Sequence, residues 1–180
     1  MAHELTHGVQ SFTSNRASRG QAGALNEHFA GVFGVLVRQW RRRESADKAS
    51  WLVGAEILVP AKTRRAIRDM ERPDTAYTDD PALGSDPQPD HMERISNGPA
   101  DSRGVHIKSG IPNRALVLFA QAVGGNAWET PGRIWYEALL KLSRTSQFAD
   151  MAKLTAQIAG DRFDAATKKA VRAAWKRVGL

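Results

Sequence analysis

The sequence contains no cysteine, which excludes disulfide bonds and zinc sites built from thiolates. Exported proteins can also lack cysteine, so this absence leaves the redox compartment open. The sequence has no apolar run of about 18 residues and therefore predicts no membrane-spanning helix. No signal peptide is visible, because a candidate metal ligand already stands at residue 3. The localisation is therefore left unknown.

The 180 residues fit one domain of ordinary size, and we expect a single domain over 1–180. Hydrophobic residues make up 42% of the chain, and five Trp and six Phe supply bulky groups for a core.

The formal net charge of +7 permits binding to nucleic acid or to another acidic partner. The positive charge clusters in "RQWRRRE" (38–44) and in the C-terminal "TKKAVRAAWKRVGL". Both stretches follow helical patterns, and no nucleic-acid recognition motif accompanies them. The sequence thus favours solvated helix faces and makes a nucleic-acid partner the weaker alternative.

Apolar spacing predicts a mainly α-helical fold with one long irregular loop over about 73–104. Residues 51–60 are expected to be extended or irregular. The predicted helices cover 2–13, 24–42, 64–71, 105–123, 131–144, 147–159 and 164–177, with Asp164 as the N-cap of the last.

A His-Glu-x-x-His motif stands in the opening "MAHELTHGVQ". On a helix, His3 and His7 share one face, with Glu4 beside them, which gives two metal ligands and a general base. A zinc site of this type needs a third protein ligand. Glu27, near the start of the next predicted helix, is placed to swing back over the first helix and complete the set.

Five ordered stretches of the sequence resemble the C-terminal helical domain of the thermolysin-like zinc metallopeptidases, and the protealysin branch most. They are "HELTHGV", "GALNE", "AIRDMERP", "DPQPDHM" and "GVHIKSGIPNRA". The resemblance covers nearly the whole chain and implies Zn²⁺-dependent hydrolysis of peptide bonds. The family is usually secreted.

The resemblance assigns a role to each matching residue. The zinc ligands are His3, His7 and Glu27, and the catalytic carboxylate is Glu4. His106 matches the histidine that stabilises the oxyanion, and Asp101 matches the acid that orients it. Either histidine of the motif, or His106, could instead be an ordinary structural histidine.

The resemblance also implies a substrate-binding site. Arg68 matches the arginine that binds the substrate carbonyl, although it could be an ordinary surface arginine. Val53, Ile57 and Ile67 match the pocket for a bulky apolar side chain after the cleaved bond, although they could simply be core. The implied specificity is cleavage on the amino side of bulky hydrophobic residues.

The sequence departs from the family pattern at several positions. Gly31 replaces an aspartate that accepts a hydrogen bond from the first zinc histidine, and Ser18 replaces a tyrosine that helps to bind the oxyanion. The double calcium site of the family is expected to be absent, because its acids are replaced by Arg38, Leu52 and Ala55.

The β-rich N-terminal lobe that precedes the zinc helix in the family is not encoded here, so we expect the fold to lack it. A peptide or protein substrate is the expected partner, together with a lobe supplied in cis or in trans. Whether the isolated chain is active stays open. The alternative is an inactive or truncated remnant that acts as a binding or regulatory module.

Overall fold

The computed structural model describes residues 1–15, 17–59, 61–96, 98 and 100–180. Within these residues the chain is mainly helical, as predicted. The helices are α1 (Ala2–Phe12), α2 (Gly20–Arg42), α3 (Ala100–Lys108), α4 (Gly110–Val123), α5 (Thr130–Lys141), α6 (Phe148–Arg162) and α7 (Ala165–Lys176). Two short strands, β1 (Leu52–Val53) and β2 (Arg68–Asp69), pair antiparallel, and a 3₁₀ turn spans Met92–Arg94. Among the described helices, none combines the length and apolar character that a bilayer crossing requires.

The core lies between α2 and the C-terminal helices and is built on aromatic side chains. Trp135 of α5 and Trp175 of α7 stack with ring centroids 6.2 Å apart, and both are almost fully buried. Phe119 of α4 stacks on the other side of Trp135, at 5.6 Å. Such offset ring pairs stabilise a core beyond the area that they bury.

A buried histidine ties α2 to this core directly below the predicted ligand Glu27. The Nδ1 of His28 lies 2.7 Å from the Oδ1 of Asn113, and the indole of Trp135 donates to its Nε2 at 2.8 Å. A ring that accepts at Nε2 and faces an amide oxygen at Nδ1 is a neutral imidazole protonated on Nδ1. The turn of α2 that carries Glu27 is therefore fixed by hydrogen bonds as well as by packing.

The prediction of a helix over 64–71 is wrong. The backbone donors of this stretch bind distant carbonyls instead: Ile67 N donates to Val53 O at 2.9 Å, and Met70 N donates to Trp51 O at 3.1 Å. The buried carboxylate of Asp69 then accepts from the N–H groups of Glu71 and Arg72, which turns the chain.

The single helix predicted over 105–123 is also wrong, because α3 ends at Lys108 and α4 starts at Gly110. A Cβ on Gly110 would lie 2.8 Å from the carbonyl oxygen of Pro89, so the break is packed tightly against the loop over 73–104. The other boundaries shift by a few residues, and α2 begins at Gly20 rather than at 24. The N-cap predicted at Asp164 is confirmed, since its carboxylate accepts from Thr167 N at 2.6 Å.

Candidate metal centre

Helix α1 places the two motif histidines side by side against α2. Their Nε2 atoms are 3.1 Å apart, and the rings meet edge to face. Thr6 and Gln10 are the buried positions of this helix, whereas both histidines are half-buried. The helix thus presents both imidazoles toward α2 while each side chain stays partly exposed.

The Glu27 carboxylate meets both histidines from α2. One of its oxygens lies 3.6 Å from the Nε2 of His3, and the other lies 3.7 Å from the Nε2 of His7. These three side chains are the group of potential metal ligands that the described part of the chain brings together, with one donor atom of each within 4.8 Å of the others.

The three side chains lie close enough together to hold a metal ion between them. Zinc sites have metal–ligand distances of about 2.0–2.2 Å in tetrahedral geometry, which places neighbouring donor atoms about 3.3–3.6 Å apart. The two Nε2 atoms, 3.1 Å apart, are near that spacing. The contacts of 3.6 and 3.7 Å involve the two different oxygens of Glu27, and with one oxygen the three donor atoms lie within 4.8 Å of one another. Two imidazoles and one carboxylate are also the ligand types of a catalytic site with one position left for water.

A pair of amides that the sequence analysis missed fixes the tautomer of His7. The His7 Nδ1 lies 2.6 Å from the Oδ1 of Asn26, and the same oxygen accepts from the amide of Gln10 at 3.1 Å. Because this oxygen is an acceptor, His7 carries its proton on Nδ1 and its Nε2 keeps a lone pair for a metal. In the sequence, the only sign of this role was that Asn26 directly precedes the predicted ligand Glu27.

His3 lacks an equivalent anchor. No hydrogen bond to its Nδ1 is recorded among the described residues, and a Cβ added at Gly31 would meet no atom within 4 Å. Gly34, one turn further along α2, does face His3, since a Cβ there would lie 3.6 Å from its backbone N. The space beside His3 is therefore open where the family pattern has an aspartate.

The local field keeps Glu27 ionised. Burial raises the pKa of this carboxyl, but the hydrogen bond to His3 and the nearby imidazoles of His106, His7 and His3 outweigh it, and the net pKa lies below the usual value. An ionised carboxylate is the form that ligates a cation.

His106 approaches this group from α3, whereas Glu4 follows His3 on α1. Glu4 is exposed on the first turn of α1 and makes no ion pair or side-chain hydrogen bond with the described residues. His106 comes from α3, and its Nε2 lies 3.4 Å from a Glu27 oxygen. Its other nitrogen, Nδ1, lies 2.6 Å from the Oδ1 of Asp101, whose second oxygen accepts from the backbone N of His106 at 2.8 Å.

A left-handed turn creates this pairing. Asp101, Ser102, Arg103 and Gly104 all have positive φ, between 49° and 77°. For a residue with a Cβ this conformation costs roughly 1–2 kcal/mol, and such cost concentrates at functional sites. The turn curls Asp101 back over His106. Burial raises the pKa of Asp101, but its bonds to the ring and backbone of His106 prevail, and the net pKa lies below the usual value.

Three of the residues expected to bind substrate, Arg68, Val53 and Ile67, lie on or next to the β1–β2 ribbon, and Ile57 lies in the turn after β1. Arg68 pairs with Val53 across the strands, and Ile67 packs so closely over Gly54 that a Cβ there would lie 2.7 Å from it. Val53 is half-buried, and Ile57 is 77% exposed. The roles of these four residues in binding substrate stay predictions.

Two of the departures from the family pattern have visible structural consequences. Ser18 lines a cavity of about 220 Å³ beside Glu27, together with Gly23 and Val105. Arg38, at a predicted calcium position, donates to the carbonyl oxygens of Ser50 and Leu52 at 2.5 and 2.7 Å. A fixed guanidinium there supplies a positive charge where the family places a cation.

Comparison with known proteins places the chain in a family. Residues 14–180 match the family described as "Thermolysin metallopeptidase, alpha-helical domain". The matched range begins after the His-Glu-x-x-His motif, whereas the alignments with individual relatives cover the whole chain. The protein belongs to the thermolysin metallopeptidase family, and the fold predicted from the sequence is confirmed.

The individual relatives are metalloproteases of bacteria. The chain is 47% identical over 184 residues to "Protease PrtS" of Photorhabdus sp. (strain Az29), covering all of this chain and 49% of that protein. It is 43% identical over 182 residues to an "Extracellular metalloprotease" of Pectobacterium carotovorum subsp. carotovorum, covering all of this chain and 52% of that protein. The chain thus spans about half the length of these curated relatives.

A solved structure shows the same fold. The precursor of protealysin, a metalloproteinase from Serratia proteamaculans, superposes with a TM-score of 0.96 at 44% identity, over 99% of this chain and 56% of that one. The resemblance to the protealysin branch is confirmed for the helical domain.

Proposed function

We propose that the chain carries the metal ligands and the catalytic carboxylate of a zinc metalloendopeptidase. The observation that carries this proposal is the convergence of His3, His7 and Glu27, which bring one donor atom each within 4.8 Å of one another. When bound, zinc supplies Lewis-acid chemistry: it lowers the pKa of a water ligand and polarises the scissile carbonyl.

The protein's own residues then move protons and hold charge. Glu4 is exposed and makes no ion pair or side-chain hydrogen bond with the described residues, which leaves it available to take a proton from the attacking water and deliver it to the leaving amine. His106 donates from Nε2 to the oxyanion that develops on the substrate carbonyl. Asp101 holds the imidazole in that orientation.

The expected substrates are peptides with a bulky apolar residue on the carboxyl side of the cleaved bond. Supporting this, the β1–β2 ribbon presents Val53 and Ile67 beside Arg68, which combines an apolar surface with a guanidinium for a substrate carbonyl. The relatives named "extracellular" support a secreted setting for this chain.

A complementary lobe is the expected structural partner. Leu5, Val9 and Phe12 of α1 are 66%, 45% and 94% exposed, which is an unusual apolar face for a helix that carries a metal site. We propose that a β-rich lobe, in cis or in trans, covers this face and forms the other wall of the cleft.

The second candidate function is an inactive remnant that binds a partner through the same face. Gly31 and Ser18 favour it, because one removes the anchor expected for His3 and the other removes an oxyanion donor. Loss of an anchor for a metal-bound histidine lowers metal affinity or activity about 10–100-fold. Loss of one oxyanion donor lowers the turnover rate about 100–1,000-fold.

Hydrolysis of a quenched fluorescent peptide with Leu or Phe after the scissile bond tests the peptidase proposal. The zinc-loaded chain is assayed alone and with the N-terminal half of the Photorhabdus relative added in trans. Cleavage should fall at least about 100-fold in Glu4→Gln, while zinc content stays unchanged. Glu93→Gln, at a carboxylate that is 87% exposed, is the matched control and should retain full activity.

Two results would count against the peptidase. Equal rates for Glu4→Gln and for the unmodified chain would remove the general base. Absence of cleavage in both formats, with zinc bound, would favour the binding remnant.

A further inference from the structure

A groove lined with aromatic side chains lies between α2 and α5. Its volume is about 300 Å³, which is the lower end of the range for ligand pockets. Phe33 and Leu36 form part of its lining, with Val37, Trp40 and Tyr136 around them. The groove runs along α2 away from the metal centre. Phe33 follows Glu27 by 6 residues and Trp40 follows it by 13, which at about 1.5 Å per residue places them about 9 and about 20 Å further along the helix.

The packing of the two helices forms this groove. Gly132 lets α5 approach α2 closely, because a Cβ there would lie 3.2 Å from the Cδ1 of Leu36. Phe33 and Tyr136 then meet edge to face, with centroids 6.3 Å apart. Val37, Trp40 and Tyr136 nevertheless remain 51%, 52% and 50% exposed. Half-exposed aromatic and aliphatic groups around a concave surface are typical anchor points for a partner.

The border of the groove is positively charged. Arg133 lines it, Arg43 lies over the Trp40 ring with its guanidinium carbon 5.4 Å from the centroid, and Arg41 follows Val37 by one helical turn. Across the described residues, these three arginines form no ion pair, whereas the neighbouring Arg42 pairs with Glu56. Glu129 stands at the N-cap of α5, where its negative charge is offset by the partial positive charge of the helix N-terminus.

We propose that this groove binds an acidic peptide segment of a partner protein, with one Leu or aromatic side chain in the groove and flanking carboxylates on the arginines. The concave shape suits an inserted side chain better than a flat bilayer surface. Arginines that form no ion pair with the described residues, around an apolar centre, complement a segment of the form acid–apolar–acid. Arg is also the cation best suited to bind carboxylates in a fork. The site is separate from the metal centre and does not depend on the proposed peptidase activity.

Fluorescence anisotropy with a fluorescein-labelled DEEFLEED peptide tests the proposal. The titration is done in the presence of EDTA, so that no cleavage occurs. Binding should be at least tenfold tighter than that of DEESSEED, which lacks the anchor, and of NQQFLQQN, which lacks the charges. Trp40→Ser and Arg133→Glu should each weaken binding of DEEFLEED at least tenfold. Lys176→Glu makes the same charge change as Arg133→Glu at an exposed position of α7, and it should leave the affinity within about twofold.

Several results would overturn the proposal. Equal affinity for DEEFLEED and DEESSEED would show generic charge attraction without a groove. Unchanged binding in Trp40→Ser and Arg133→Glu, both folded by circular dichroism, would place the peptide elsewhere. Tighter binding of a single-stranded oligonucleotide or of anionic vesicles, lost in the same two variants, would assign the groove to nucleic acid or to a membrane surface.

Discussion

Restoring a carboxylate at Gly31 should strengthen zinc binding by supporting His3. The proposed site is supported on one side only: the amide of Asn26 orients His7, and no hydrogen bond to the Nδ1 of His3 is recorded within the described residues. Gly31 stands between Glu27 and Gly34 on α2, one turn from each, and Gly34 packs on the backbone of His3.

Replacing Gly31 by aspartate causes no steric clash. A Cβ at Gly31 meets no atom within 4 Å, so an aspartate side chain enters open space beside His3. Outer partners of metal-bound histidines are worth about 10–100-fold in affinity. We therefore expect Gly31→Asp to lower the zinc dissociation constant by that factor, or about 1.4–2.7 kcal/mol at about 1.4 kcal/mol per tenfold.

Competition with a chromophoric zinc chelator measures this change. Gly31→Ala controls for the gain in helix propensity, which is about 1 kcal/mol without any new acceptor. Gly8→Asp controls for added charge, since it places a carboxylate on α1 at an open position next to His7. If Gly31→Asp binds zinc no more tightly than Gly31→Ala, or if Gly8→Asp gives the same gain, the idea of a missing partner for His3 is refuted.

Three further predictions concern single side chains. Asn26→Ala should weaken zinc binding about 10–100-fold by freeing His7, as measured by the same competition, with the circular dichroism spectrum unchanged. Arg103→Gly should stabilise the chain in urea unfolding by about 1 kcal/mol by relieving a left-handed residue, whereas Arg103→Ala should not. Asp164→Ala should lower the unfolding midpoint at pH 7, whereas Asp164→Asn should keep the cap. The hydrogen bonds from Thr167 hold the pKa of Asp164 below its usual value, so the Ala deficit should be present above the unfolded pKa of about 4 and disappear as pH falls through the lower folded value.

Local sequence signals predicted the features that depend on local geometry. His3 and His7 share a face because a helix repeats every 3.6 residues, and Asp164 caps α7 because its carboxylate reaches a backbone N–H three residues on. Glu27 required more than local geometry. Its place near the start of the next predicted helix made it a candidate third ligand, and the resemblance to the family then assigned it that role.

Features set by distant contacts were missed. The stretch around Ile67 is compatible with a helix, but its N–H groups bind carbonyls of 51–53 across the ribbon. The break between α3 and α4 follows from the approach of Pro89 to Gly110. The left-handed conformation of Ser102 and Arg103 has no local signal, because neither residue favours it.

The most direct test of the proposed metal centre is an anomalous difference map at the zinc absorption edge, from crystals of this chain grown with equimolar zinc. We expect one peak per chain, about 2.0–2.2 Å from the Nε2 atoms of His3 and His7 and from a carboxylate oxygen of Glu27. A map with no peak at these three side chains, or with its only peak elsewhere on the surface, would contradict the assignment of the ligands.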